Sequence, residues 1–170
     1  CKACGPGTYL ASTGESECAS CPSGSVHGAI GGTAASLCKA CPAGQIESPS
    51  GDESCMLCPD GKYQGSAGQA SCTGCAAGMF TGPNDLKVSC RQCAAGRHMD
   101  ETGGAACKPC PVGKHMPSLG QAGSCISCAA GLFADEEAMV TCRQCLPGTA
   151  GAENDPPTAC ATCAPGTYSA

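Results

Sequence analysis

Tryptophan is absent from this sequence, and the aromatic side chains are limited to Tyr9, Tyr63, Tyr168, Phe80 and Phe133. Leu, Ile, Val and Phe together number only 16 among 170 residues. A chain so poor in large apolar side chains cannot bury enough surface to build an ordinary hydrophobic core. That argues against an enzyme with a deep apolar pocket. Charge is scarce as well: Asp, Glu, Lys and Arg make up 14%, against about 25% in a typical domain. The net charge of −5 is spread along the chain, with no basic stripe for nucleic acid and no polybasic cluster for anionic lipid. No apolar run approaches the ~20 residues of a membrane span. No Asn-x-Ser/Thr acceptor occurs, although the Ser, Thr and Pro of the loops are compatible with O-linked glycans. The chain opens at Cys1 with no leader peptide, and reads as a window of a longer, processed protein.

What is abundant is cysteine, with 20 residues, together with 25 Gly and 13 Pro. Cysteine well above roughly 8–10% marks a disulfide scaffold in a short secreted chain. All twenty fall in ten Cys-x-x-Cys pairs: Cys1/Cys4, Cys18/Cys21, Cys38/Cys41, Cys55/Cys58, Cys72/Cys75, Cys90/Cys93, Cys107/Cys110, Cys125/Cys128, Cys142/Cys145 and Cys160/Cys163. The pairs recur every 17 to 20 residues and define repeats 1 to 10. Three residues after the second cysteine of every pair stands a glycine: Gly7, Gly24, Gly44, Gly61, Gly78, Gly96, Gly113, Gly131, Gly148 and Gly166. These are turn glycines, expected to supply a positive φ or a close backbone approach.

Two residues further on comes a strand position, held by Tyr9, Val26, Ile46, Tyr63, Phe80, His98, His115, Phe133, Ala150 and Tyr168. Most of these are β-formers. Each repeat therefore reads as a turn, a strand of two to four residues, a second turn, and a return to the next pair. No apolar periodicity of 3.6 residues occurs, so almost no helix is expected; the segment 134–140 is the one candidate for a helical turn. The fold class is a tandem array of small disulfide-rich hairpins and loops with no large hydrophobic core. Such repeats stack on their neighbours, and an elongated array is expected.

A longer period overlies the short one. Cys75-Ala76-Ala77-Gly78-Met79-Phe80 returns as Cys128-Ala129-Ala130-Gly131-Leu132-Phe133, each followed by Cys-Arg-Gln-Cys. From Cys1 to Cys160 is 159 residues, three steps of 53. The expected units are 1–53, 54–106 and 107–159, with 160–170 opening a fourth.

Two chemistries compete for the cysteines. As disulfides, a bridge closing a loop of about 15 residues is worth roughly 3 kcal/mol in the chain-entropy model. The simplest connectivity is sequential: Cys4–Cys18, Cys21–Cys38, Cys41–Cys55, Cys58–Cys72, Cys75–Cys90, Cys93–Cys107, Cys110–Cys125, Cys128–Cys142 and Cys145–Cys160, with Cys1 and Cys163 pairing outside this window. An interleaved ladder, such as Cys1–Cys18 with Cys4–Cys21, fits the spacing equally. As zinc ligands, ten pairs would build five tetrahedral sites. The uniform spacing, and the lack of any element between pairs that could bury supporting groups, favour disulfides. No catalytic, cofactor-binding or metal residue is assigned. A redox Cys-x-x-Cys occurs once, at a helix start, not ten times without helices. The histidines are His27, His98 and His115, and the latter two occupy the strand position and read as packing side chains. The acidic runs at Asp135-Glu136-Glu137 and Asn154-Asp155 fit no EF-hand loop and read as solvated.

The string Cys58-Pro59-Asp60-Gly61-Lys62-Tyr63, echoed by Gly5-Pro6-Gly7-Thr8-Tyr9 and Ala164-Pro165-Gly166-Thr167-Tyr168, resembles the ephrin-receptor-like cysteine-rich repeat. That family is related in style to tumour-necrosis-factor-receptor and EGF-like modules. Departures are Ala76, Ala94, Ala129 and Leu146 at the proline position, and repeats without the aromatic. The resemblance implies an extracellular or cell-surface disulfide ladder and no particular activity. The first expectation is a non-enzymatic structural segment of an extracellular filament or stalk, such as a mastigoneme-like fibre, whose partners are itself or other fibre proteins. The alternative is a ligand-binding receptor ectodomain module; an intracellular zinc array stands third.

Overall fold

The computed structural model describes residues 1–48, 54–151 and 157–167. Tyr168, Asn154 and Asp155 lie outside the described residues. The chain forms two compact units: residues 1–74 with 81–90, and residues 75–80 with 91–170.

Both units are built from two-stranded antiparallel hairpins. The first unit holds Thr8–Tyr9 with Ala19–Ser20, Ser25–Val26 with Lys39–Ala40, Gln45–Glu47 with Cys55–Leu57, and Lys62–Tyr63 with Thr73–Gly74. The second holds Met79–Phe80 with Arg91–Gln92, Arg97–His98 with Lys108–Pro109, Lys114–His115 with Ile126–Ser127, Leu132–Phe133 with Arg143–Gln144, and Thr149–Gly151 with Cys160–Thr162. Strands of two or three residues cannot sustain a hairpin alone. Among the described residues the only helix is a three-residue 3₁₀ turn at Ala35–Leu37. The helical turn anticipated at 134–140 is instead part of a bend and turn. Its glutamates have no run of intrahelical hydrogen bonds to join, and Asp135 and Glu136 are engaged by Arg143.

The opening turn has one chemistry throughout. In repeat 4 the carbonyl of Pro59 accepts the N–H of Lys62 at 3.0 Å, with Gly61 at φ +79°. An i to i+3 bond with a positive φ at the third residue is the signature of a type II turn, where glycine avoids the Cβ penalty. The first turn position contributes only its carbonyl. This is why Ala76, Ala94, Ala129 and Leu146 replace proline there and still accept the N–H of Met79, Arg97, Leu132 and Thr149 at 2.9–3.1 Å.

The core is made of sulfur more than of hydrocarbon. In the first unit Cys4, Cys41 and Cys58 are buried; in the second, Cys75, Cys93, Cys110, Cys125 and Cys128 are, joined by Met99, Met116 and Ala134. The residues at the strand position, such as Tyr63, Phe80, His98 and Phe133, are only half-buried. Apart from cysteines, the fully enclosed side chains among the described residues belong to the next residue along: Thr81, Met116 and Ala134 are at 0% exposure. The reason is backbone contact. The carbonyl of that next residue accepts the turn glycine's N–H from the preceding repeat, as in Gly61 to Thr81 at 2.8 Å, Gly96 to Met116 at 2.8 Å and Gly113 to Ala134 at 2.7 Å.

Candidate functional site

The residues singled out in the sequence come together as a repeated junction between successive repeats. Eight bridges are Cys4–Cys18, Cys21–Cys38, Cys41–Cys55, Cys58–Cys72, Cys93–Cys107, Cys110–Cys125, Cys128–Cys142 and Cys145–Cys160, with Cα atoms 5.5–5.8 Å apart. Those separations lie in the usual range for a bridge. Cys75 and Cys90 are disulfide-bonded as well. Cys1 is exposed and Cys163 half-buried, and neither is bridged.

A second device stitches the repeats together. In five of the described repeats a residue in the far loop adopts a left-handed conformation, and its N–H is donated to the carbonyl of the second cysteine of the preceding repeat. In the first unit Gly31 donates to Cys4 and Gly68 to Cys41, both at 2.8 Å. In the second unit Gly103 donates to Cys75, Gly120 to Cys93 and Ala138 to Cys110, at 2.8–2.9 Å. The same residue reaches one repeat further back. A Cβ on Gly24 would meet the Gly68 carbonyl at 2.3 Å, one on Gly78 the Gly120 carbonyl at 2.2 Å, and one on Gly96 the Ala138 carbonyl at 2.0 Å. One peptide therefore touches three consecutive repeats, and the turn glycine is constrained both by its φ and by this approach.

Two loop residues other than glycine are also left-handed. Lys87 has φ +59° and Ala138 φ +60°, conformations that cost an L-residue about 1–2 kcal/mol. Lys87 is buried, and its Nζ donates to the Asp60 carboxylate and to the Gly82 carbonyl. A buried ammonium is tolerable only with such partners. Nothing in the sequence marked Lys87: it is one lysine in a loop of variable composition.

The histidines of the strand position lie against sulfur. His98 Nδ1 is 3.2 Å from Cys125 Sγ, and His115 Nδ1 is 3.1 Å from Cys142 Sγ. Both sulfurs are in bridges, so neither histidine faces a free thiol nucleophile. The charged loop residues satisfy one another. Arg143 grips Asp135 at 2.7 Å and Glu136 at 3.4 Å, and Lys108 meets Asp100 at 3.3 Å. The hydrogen bond to its own backbone amide, and then Lys108, hold the Asp100 carboxyl below the usual range. In the second unit a cavity of about 410 Å³ is lined by Phe80, Arg91, Gln92, Ala94, Arg97, Ala106 and Cys107. The Arg91 guanidinium lies 4.8 Å over the Phe80 ring, within cation–π range. No helix among the described residues is long and apolar enough to cross a membrane.

No curated protein matches the chain. Residues 1–38 and 44–87 match the family model described as tyrosine-protein kinase ephrin type A/B receptor-like. The matched segments contain the Gly-Pro-Gly-Thr-Tyr and Cys-Pro-Asp-Gly-Lys-Tyr turns and the bridges Cys4–Cys18, Cys21–Cys38 and Cys58–Cys72. Their disulfide framework is of the kind built in oxidising, extracellular compartments. Over residues 1–38 and 44–87, the chain belongs to the ephrin-receptor-like cysteine-rich family.

Proposed function

We propose that this chain is a structural segment of an extracellular or cell-surface filament or stalk, a mastigoneme-like fibre being the favoured setting, and that it is not an enzyme. The observation that supports this reading is the repeat-to-repeat bonding. Within each unit the turn glycine N–H and the second cysteine carbonyl of one repeat are taken up by the next. Each hairpin is thus completed by its neighbour, as repeat arrays require. Partners would be further copies of such repeats or other fibre proteins. The test is assembly of the disulfide-intact chain, followed by light scattering and electron microscopy, with immunogold labelling of the parent protein on cells. Ordered polymers and label along fibres are expected. A chain that stays monomeric at every concentration, with a parent protein absent from fibres, overturns the reading.

The second reading is a ligand-binding ectodomain, favoured by the cavity that Arg91 and Arg97 line. Arginine beside an aromatic ring suits an anionic ligand. A glycan or peptide array that lights up with the native chain, and goes dark on Arg97→Ala, would move the assignment there.

A further inference from the structure

Histidine takes the strand position in two successive repeats, and in both it meets the bridge of the following repeat in the same way. His98 lies beside Cys110–Cys125, and His115 beside Cys128–Cys142. In each group the imidazole nitrogen and both sulfurs lie within 4.8 Å of one another. Cys110 is fully buried, Cys125 and Cys128 are 7% exposed, and the histidines are half-buried. No other bridge has such a group among the described residues.

While the bridge is closed, each sulfur has spent its strong donor capacity on the other. Opening it changes the chemistry. We propose that Cys110–Cys125 with His98, and Cys128–Cys142 with His115, are redox-gated sites for a soft d¹⁰ cation such as Zn²⁺. A dithiol reductant supplies two electrons and two protons, the S–S bond breaks, two cysteine thiols form, and the reductant closes to its own cyclic disulfide. The cation then binds two thiolates and the imidazole, and the two thiol protons leave to solvent. The result is a Cys₂His set with one open position, a ligand combination suited to zinc.

The geometry needs little movement. Zinc bonds of about 2.3 Å to sulfur and 2.0 Å to nitrogen put ligand atoms roughly 3.5–3.8 Å apart in a tetrahedron. The nitrogen–sulfur contacts are already 3.2 and 3.1 Å. The bridged Cα atoms lie 5.7 and 5.8 Å apart, and one cysteine of each pair is held by backbone bonds independent of the bridge. Cys110 donates its N–H to Gly96 and accepts that of Ala138, and Cys128 donates to Gly113.

The experiment uses the full chain. A limiting amount of dithiothreitol opens about one bridge per molecule, Zn²⁺ is added, and free thiols are alkylated with and without a chelator. Mass mapping then reads each pair separately. Zn²⁺ is expected to shield Cys110, Cys125, Cys128 and Cys142 from alkylation, while Cys4/Cys18, Cys58/Cys72 and Cys93/Cys107 alkylate freely. His98→Phe with His115→Phe restores the residue type of other repeats. It should weaken Zn²⁺, titrated against a chromophoric chelator, by about tenfold or more, since even supporting groups around a metal are worth that much. Equal shielding of all opened pairs overturns the proposal. So does unchanged shielding in the double variant, or failure of the dithiol to open these two bridges while it opens others.

Discussion

Replacing Gly96 or Gly131 by alanine separates two demands that a turn glycine meets. Both residues sit in the left-handed region, at φ +80° and +78°, so both variants incur the same backbone penalty of about 1–2 kcal/mol. They differ in what the new methyl meets. At Gly131 nothing described lies within 4 Å. At Gly96 the methyl would sit 2.0 Å from the Ala138 oxygen and 2.7 Å from its carbonyl carbon, so the Ala138 peptide must retreat. Retreat endangers the Ala138 bond to Cys110, worth about 0.5–1.5 kcal/mol net, and adds an overpacking cost of about 1–3 kcal/mol. The two variants should therefore differ by about 2–3 kcal/mol, or roughly 30- to 150-fold in a local opening equilibrium, at tenfold per 1.4 kcal/mol. Amide hydrogen exchange resolved at Ala138 reads that opening directly. Gly96→Ala should accelerate it far more than Gly131→Ala, although Gly131 is much nearer to Ala138 in sequence. Equal acceleration by the two variants, or an Ala138 amide indifferent to Gly96→Ala, would refute the three-repeat contact.

Other substitutions test the remaining contacts. Lys87→Ala should destabilise the first unit by about 1–3 kcal/mol in denaturant unfolding, because it strips the Gly82 carbonyl and Asp60 of their partner. Lys87→Gly should be milder by about 1 kcal/mol, since it relieves the backbone at φ +59°. Met116→Ala empties a fully buried site against Cys110 and Cys125 and should cost about 2–5 kcal/mol, whereas Leu146→Ala, at 75% exposure, should change stability by under about 0.5 kcal/mol. Asp100 should titrate below the ordinary carboxylate value of 3.8 in a carboxyl-resolved NMR experiment, and Lys108→Ala should move it upward. A lowered folded-state pKa means that its contribution is present above 3.8 and is lost as pH falls through the folded value.

The hairpin frame was legible because glycine and cysteine mark it at fixed offsets, and because nothing in the chain offers a helix its apolar face. The proline position illustrates how a departure in sequence is absorbed: the turn uses only that residue's carbonyl, so Ala76 or Leu146 serves as well as Pro59. Spacing alone did not separate the sequential ladder from the interleaved one; in eight bridges the folded hairpin brings a second cysteine beside the first cysteine of the following pair. Burial one residue beyond the strand position was hidden for a different reason. Backbone docking, not side-chain hydrophobicity, encloses Thr81, Met116 and Ala134, so these positions carry no common residue type. Lys87 and Ala138 were equally hidden, because a left-handed conformation imposed by neighbouring repeats leaves no mark on a non-glycine residue.

The loop peptide that reaches back across two repeats has a mechanical consequence. If each repeat touched only its neighbour, every junction within a unit would be an independent hinge. Here a bend between repeats 6 and 7 must also lift Ala138 of repeat 8 away from Gly96 of repeat 6. The peptide works as a splint laid across the joint. Flexing one junction loads the next, so a unit should yield several repeats at a time rather than one by one when pulled.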